Sequence, residues 1–167
     1  MARIYVGTYA KYNAGSIKGA WLDLDDYADR DAFMEAAKAL HADESDPELM
    51  FQDFEGFPRA YYGESHIKPE LWAWLELDES DCEIVEAYHA GVEEDADIDR
   101  AREAYMGTAE NESDWAYEYL NDTGLLGDIP EWARNYFDFE AYARDARLGG
   151  DVVFVRHNGE LFVFSNH

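Results

Sequence analysis

Apolar and small or polar side chains alternate at the start of the chain. Ile4, Val6 and Thr8 share one face and Tyr5, Gly7 and Tyr9 the other, the period-two pattern of a strand. Asn13 to Gly15 supply turn residues. Lys18 to Leu24 then resumes the alternation, with Ala20, Leu22 and Leu24 set against Trp21 and Asp23. The period changes after that. Phe33, Ala37 and Leu40 fall on one face of a helix predicted over 29–40, with acidic residues in its first turn. A third strand is predicted over 49–54, ahead of Gly56 and Pro58.

The middle of the chain reads as short amphipathic helices. Pro69 suits a first helical position before Leu71, Trp72, Trp74 and Leu75. Ser80 and Glu83 form a capping box ahead of Ile84, Val85 and Tyr88, and Gly91 is a stop signal. Ile98, Ala101 and Tyr105 mark a helix expected to end near Gly107. Trp115, Tyr119 and Leu120 mark another that ends near Gly124. Asp128-Ile129-Pro130 then opens a helix, and Asp138 caps a further one running to Arg147 and broken by Gly149-Gly150. The runs 151–156 and 160–164 flank Asn158-Gly159, the strongest short hairpin signal. The fold class expected is α+β, elongated and in three small parts. Residues 1–62 form an antiparallel sheet with a helix, 63–107 an acidic helical part, and 108–167 an α+β part with helices and a β-hairpin.

Charge changes this picture. The chain has 13 Lys and Arg against 38 Asp and Glu, a formal charge of −25. The 65 residues between Lys68 and Arg134 hold twenty of the carboxylates and only Arg100 and Arg102 as cations. Aromatic residues run through this stretch, so it has apolar surface enough to fold, unlike a disordered acidic tail. The carboxylates expected on its outer face begin with Glu70, Glu76, Asp78, Glu79, Asp81, Glu83 and Glu86. They continue through Glu93, Glu94, Asp95, Asp97, Asp99 and Glu103, and end with Glu110, Glu112, Asp114, Glu118 and Asp122.

Several fall four residues apart: Asp114, Glu118 and Asp122; Asp95, Asp99 and Glu103; Glu79 and Glu83. Like charges at that helical spacing cost about 0.2–0.5 kcal/mol per pair. A solvated acidic face explains an isolated run, but repetition on successive helices points to a basic partner. Duplex DNA carries one charge per about 1.7 Å of axis, so 25 charges equal the phosphates of roughly 12 base pairs.

The same charge argues against direct nucleic-acid binding and against an anionic membrane surface. One cysteine, Cys82, cannot form an internal disulfide, and no apolar run has the length of a signal peptide or a membrane span, so a cytoplasmic protein is expected. No catalytic or cofactor motif stands out. Asp95-Ala96-Asp97-Ile98-Asp99 begins like a calcium loop, but Arg100 stands where glycine is needed and Met106 where the last glutamate is needed. His41, His66, His89, His157 and His167 lack metal-ligand spacing. The expectation is therefore no metal, no cofactor and no enzyme. Tyr136, Phe137, Phe139 and Tyr142, with Phe154, Phe162 and Phe164, read as a core. Their density, together with Arg134, Arg144, Arg147 and Arg156, also fits a homodimer contact.

Ile4-Tyr5-Val6, Tyr12-Asn13, Gly15, Gly19 and Trp21 resemble the opening of the ArdA antirestriction proteins. Residues 125–145, LLGDIPEWARNYFDFEAYARD, resemble that family's antirestriction motif region at Leu126, Gly127, Pro130, Tyr136, Asp138, Tyr142, Arg144 and Asp145. Ala143 stands where glycine is expected. The resemblance implies a curved homodimer that mimics bent B-form DNA. It also implies a partner, the DNA-binding groove of a type I restriction–modification enzyme, and carriage on conjugative mobile elements. Competition should be stoichiometric, and the motif structural or interfacial. An acidic inhibitor or chaperone of another basic DNA-binding protein or nuclease is the rival reading, with a carboxylate enzyme behind it.

Overall fold

The computed structural model describes all 167 residues. They form two compact units, Met1–Asp78 and Glu79–His167, and the boundary falls inside the acidic segment 63–107. Helices and small antiparallel sheets make the fold α+β.

In the first unit, β1 (Arg3–Thr8) lies between β2 (Ala20–Asp23) and β3 (Leu49–Glu55), antiparallel to both. Ile4 faces Leu22 and Phe54 across the ladders, and Val6 faces Ala20 and Phe51. The alternation puts Ile4 and Val6 fully inside. β2 starts at Ala20 rather than Lys18, and Leu24 leaves the strand for a 3-10 turn, Leu24–Asp26. A short helix, α1 (Tyr9–Asn13), stands where the sequence suggested only a turn. Thr8 explains it: its hydroxyl oxygen accepts the Lys11 N–H at 3.2 Å and so caps the helix.

Helix α2 (Arg30–Leu40) is capped by Asp29, whose Oδ1 accepts the Ala32 N–H at 2.8 Å. Phe33 and Ala37 are buried, but Leu40 is not part of the core face and stands exposed. The chain turns there at His41, which is buried. Lys11 Nζ donates to His41 Nδ1 at 2.7 Å, so Nε2 carries the proton it shares with the Val6 carbonyl at 3.1 Å. The Phe33 ring lies 5.9 Å from Phe51 and 5.7 Å from Trp72 on α3 (Glu70–Leu75). Burying such a phenylalanine is worth about 1.5–3 kcal/mol.

The second unit is a sheet with helices on both faces. β4 (Tyr105–Ala109), β5 (Val152–His157) and β6 (Glu160–Ser165) run in the order β4-β6-β5, all antiparallel. Asn158 and Gly159 join β5 to β6 with φ of 50° and 85°, the pair of positive values a type I′ hairpin turn requires. Successive residues of the hairpin serve opposite faces. Phe164 packs at 5.1 Å on Tyr88 of α4 (Glu79–Gly91), which lies with α5 (Ile98–Ala104) on one side. Val152 and Val163 join Trp115, Ala116, Ala143 and Ala146 on the other, from α6 (Glu112–Asp122) and α8 (Phe139–Leu148).

Three expectations change here. Tyr105 and Gly107 do not end a helix; they belong to β4, and Gly107, at φ 118°, sits where the register with β6 shifts. α4 begins at Glu79, so Ser80 lies within its first turn instead of capping it. Pro130 precedes the four-residue α7 (Glu131–Arg134) as its cap position, not as its first residue. Asp138 does cap α8, its Oδ1 accepting from Ala141 N at 2.9 Å.

Candidate functional site

The acidic surface follows from which way each helix must face. α4 turns Ile84, Val85, Ala87 and Tyr88 inward, leaving Glu79 exposed and Glu83 and Glu86 half-buried at the margin of that face. α6 buries Trp115, Ala116 and Leu120, which sets Asp114, Glu118 and Asp122 in one exposed row. Asn111 starts that row by accepting the Asp114 N–H at 2.8 Å. Consecutive members are one helical repeat apart, a rise of about 6 Å. No buried position is found among the carboxylates singled out by sequence; Asp81, Glu83, Glu86 and Glu112 are half-buried and the others exposed.

Some of these groups have cationic neighbours. Arg102 reaches Asp81 at 3.2 Å, Arg100 reaches Glu93 at 3.2 Å, and Arg147 reaches Glu112 at 3.4 Å. The His157 Nε2 lies within hydrogen-bond distance of Glu86, at 3.4 Å, a contact that needs no charge on the imidazole. A hydrogen bond to Tyr88, with the Glu93 charge beside it, raises the Arg100 pKa above its ordinary value. Asp99 and Glu103 on α5, Glu79 and Glu83 on α4, and Asp114, Glu118 and Asp122 on α6 form no ion pair within 4 Å, although Arg102 borders the same hollow as Asp99 and Glu103. Asp95 precedes α5, so the helical row expected from it is shortened to Asp99 and Glu103. Fixed, self-repelling negative charge on rigid helices is the chemical content of this surface.

The segment 125–145 wraps the end of α6. Leu126 is buried, Gly127 adopts φ 56°, and Tyr142 is half-buried against Trp115 and Phe137. Burial raises the Tyr142 hydroxyl pKa. Arg144 and Asp145 are exposed and 3.6 Å apart. Tyr136 is 84% exposed and so is not core, contrary to its aromatic context in the sequence.

A family model described as antirestriction protein (ArdA) matches residues 4–160. The chain belongs to the ArdA family. Antirestriction is therefore its function class, and Leu126, Gly127, Pro130, Tyr136, Asp138, Tyr142, Arg144 and Asp145 lie within the matched ArdA region. No curated protein matches the chain. None of its helices is long and apolar enough to cross a membrane.

Sequence reasoning missed two features of this ArdA chain. Trp132 is 70% exposed with its ring 6.4 Å from that of Tyr136, and Leu125 is 62% exposed, apolar surface with no periodicity to announce it, because α7 is a single turn. Next to it, α6 and the segment 129–139 line a half-open cleft of about 590 Å³. Tyr117, Phe137 and Phe139 supply ring faces there, and Asn121, Glu131 and Arg134 supply polar groups.

Proposed function

We propose that this antirestriction protein is a mimic of B-form DNA. It occupies the DNA-binding groove of a type I restriction–modification enzyme and inhibits it by stoichiometric competition, with no covalent step, metal or cofactor. The single observation that carries this reading is the set of carboxylate rows that form no ion pair, above all the exposed Asp114, Glu118 and Asp122 on α6. Lys and Arg side chains that hold phosphates would meet these carboxylates in their place. One carboxylate per about 6 Å of helix is sparser than one phosphate per roughly 3.4 Å of a DNA strand. The copy must therefore extend further along a groove than the duplex it displaces. In this reading Glu79, Glu83, Asp99, Glu103, Asp114, Glu118 and Asp122 contribute most. Asp81, Glu93 and Glu112 contribute less, because each already has an arginine neighbour.

The reading includes a homodimer joined through the C-terminal part of a three-part molecule, 1–62, 63–107 and 108–167. Exposed Leu125, Trp132, Tyr136 and Leu148 support that choice of contact. Titrating the protein into a purified type I enzyme bound to duplex DNA tests the proposal. DNA should be released at a near-equal molar ratio, and DNA binding that persists in large excess of the protein refutes competition.

A further inference from the structure

The cavity beside α7 has a composition unlike the rest of the surface. Tyr117, Phe137 and Phe139 form one wall, the Tyr117 and Phe139 rings 5.2 Å apart and the Phe137 and Phe139 rings 4.8 Å apart. Arg134 stands in the same cavity. Its Nη1 donates to Asn121 Oδ1 at 2.9 Å, and Asn121 Nδ2 donates to the Tyr117 carbonyl at 2.7 Å. These two bonds fix the Asn121 amide with its oxygen toward the guanidinium, so Arg134 is held in place by a neutral group.

That is unusual in this unit. Arg100, Arg102, Arg144 and Arg147 each sit near a carboxylate, and Arg156 donates to the Glu110 carbonyl. Arg134 has no ion pair, although Glu131 lines the same cavity one helical turn away. A guanidinium offers five N–H donors in a planar fork that matches a carboxylate. One is committed here, and Arg134 lines a space large enough for a small organic molecule.

We propose that this cavity binds a small planar aromatic monocarboxylate, its ring against Tyr117, Phe137 and Phe139 and its carboxylate on Arg134. Asn121 is the positioning residue. Glu131 and the surrounding negative charge favour a singly charged acid over a phosphate dianion, since each added charge meets the same repulsion. The proposal goes beyond DNA mimicry and does not depend on it.

The test is saturation-transfer NMR on the full chain with cinnamate, and with cinnamamide as its neutral counterpart. Cinnamate should bind at least about tenfold more tightly than the amide, the difference expected of a charge-assisted fork contact. Arg134→Gln should abolish that preference while weak amide binding remains. Tyr117→Ala, at a position 56% exposed and so tolerant of truncation, should weaken both ligands. Equal binding of acid and amide, or a preference that survives Arg134→Gln, overturns the proposal. So does the absence of transfer at ~10 mM ligand, weaker than any affinity worth the name site. Preferential binding of phenethylammonium also overturns it, because the cavity would then be a cation site built on Glu131 and the rings. Self-association that Arg134→Gln abolishes, without cinnamate binding, assigns the cavity to another copy of the chain and overturns it as well.

Discussion

Gly91 closes α4 where the helix meets β5, and a Cβ built there would lie 2.3 Å from Val155 Cγ2. Val155 is buried and β-branched, so its methyl groups have little freedom to yield. Gly91→Ala should therefore destabilise the second unit by about 1–3 kcal/mol despite the better helix propensity of alanine. Urea denaturation measures this, and Val155→Ala should recover part of the loss in the double variant. A loss that is simply additive would mean the clash is absorbed elsewhere. A second residue-scale effect lies in the first unit, where Lys11 Nζ donates to Asp43 Oδ1 at 2.8 Å. That hydrogen bond lowers the Asp43 pKa and raises that of Lys11. The Asp43 contribution is present above its unfolded pKa of about 3.9 and is lost as pH falls through the lower folded value. The Lys11 contribution is present below its unfolded pKa of about 10.4 and is lost as pH rises through the higher folded value. Asp43→Asn should accordingly lie below the parent in denaturation midpoint at neutral pH and converge on it in acid. A constant gap down to strong acid would disprove the linkage.

At the scale of the element, α6 shows how a helix can be built against its own surface charge. Its inner face, Trp115, Ala116 and Leu120, is well packed, and Asn111 caps its start. Its outer row of Asp114, Glu118 and Asp122 repels itself twice over. Glu118→Lys converts both repulsive pairs to attractive ones and should raise stability by about 0.8–2 kcal/mol. The same variant should inhibit a restriction enzyme slightly less well, while neutralising all three acids should reduce inhibition far more. Stability and inhibition moving in the same direction would contradict the mimic. Both faces of α6 were legible in the sequence, because apolar period and charge row are local patterns. So was the β5–β6 hairpin, since Asn158-Gly159 encodes its turn directly. β4 was not legible: Tyr105–Ala109 is short and contains a glycine, and it becomes a strand only by pairing with Leu161–Phe164 far along the chain. α7 and its cavity were hidden for a similar reason. A single turn has no period, and the ring wall joins Tyr117 to residues twenty positions later.

For the whole molecule, the proposed mimicry makes charge act on folding and on inhibition with opposite sign. The first unit holds 7 basic and 16 acidic side chains and the second 6 and 22, leaving net charges of −9 and −16. The unit boundary at Asp78 and Glu79 is invisible in that charge. α3 buries Leu71, Trp72 and Trp74 in the first unit and α4 packs on the second sheet, while both present carboxylates to solvent. Outer faces need not register which core lies beneath them. Added salt screens this self-repulsion, with a Debye length falling from about 30 Å at 0.01 M to 8 Å at 0.15 M. The denaturation midpoint should therefore rise with monovalent salt over that range. Association with the proposed basic groove would draw on the same charges across the interface, so its rate should fall over the same range. Stopped-flow association and urea midpoints, measured in one salt series, should run in opposite directions. If inhibition were carried by the exposed apolar cluster around Trp132, its association rate would change little as stability rises. An association rate insensitive to salt would thus transfer the inhibitory contact from the carboxylate rows to the motif segment.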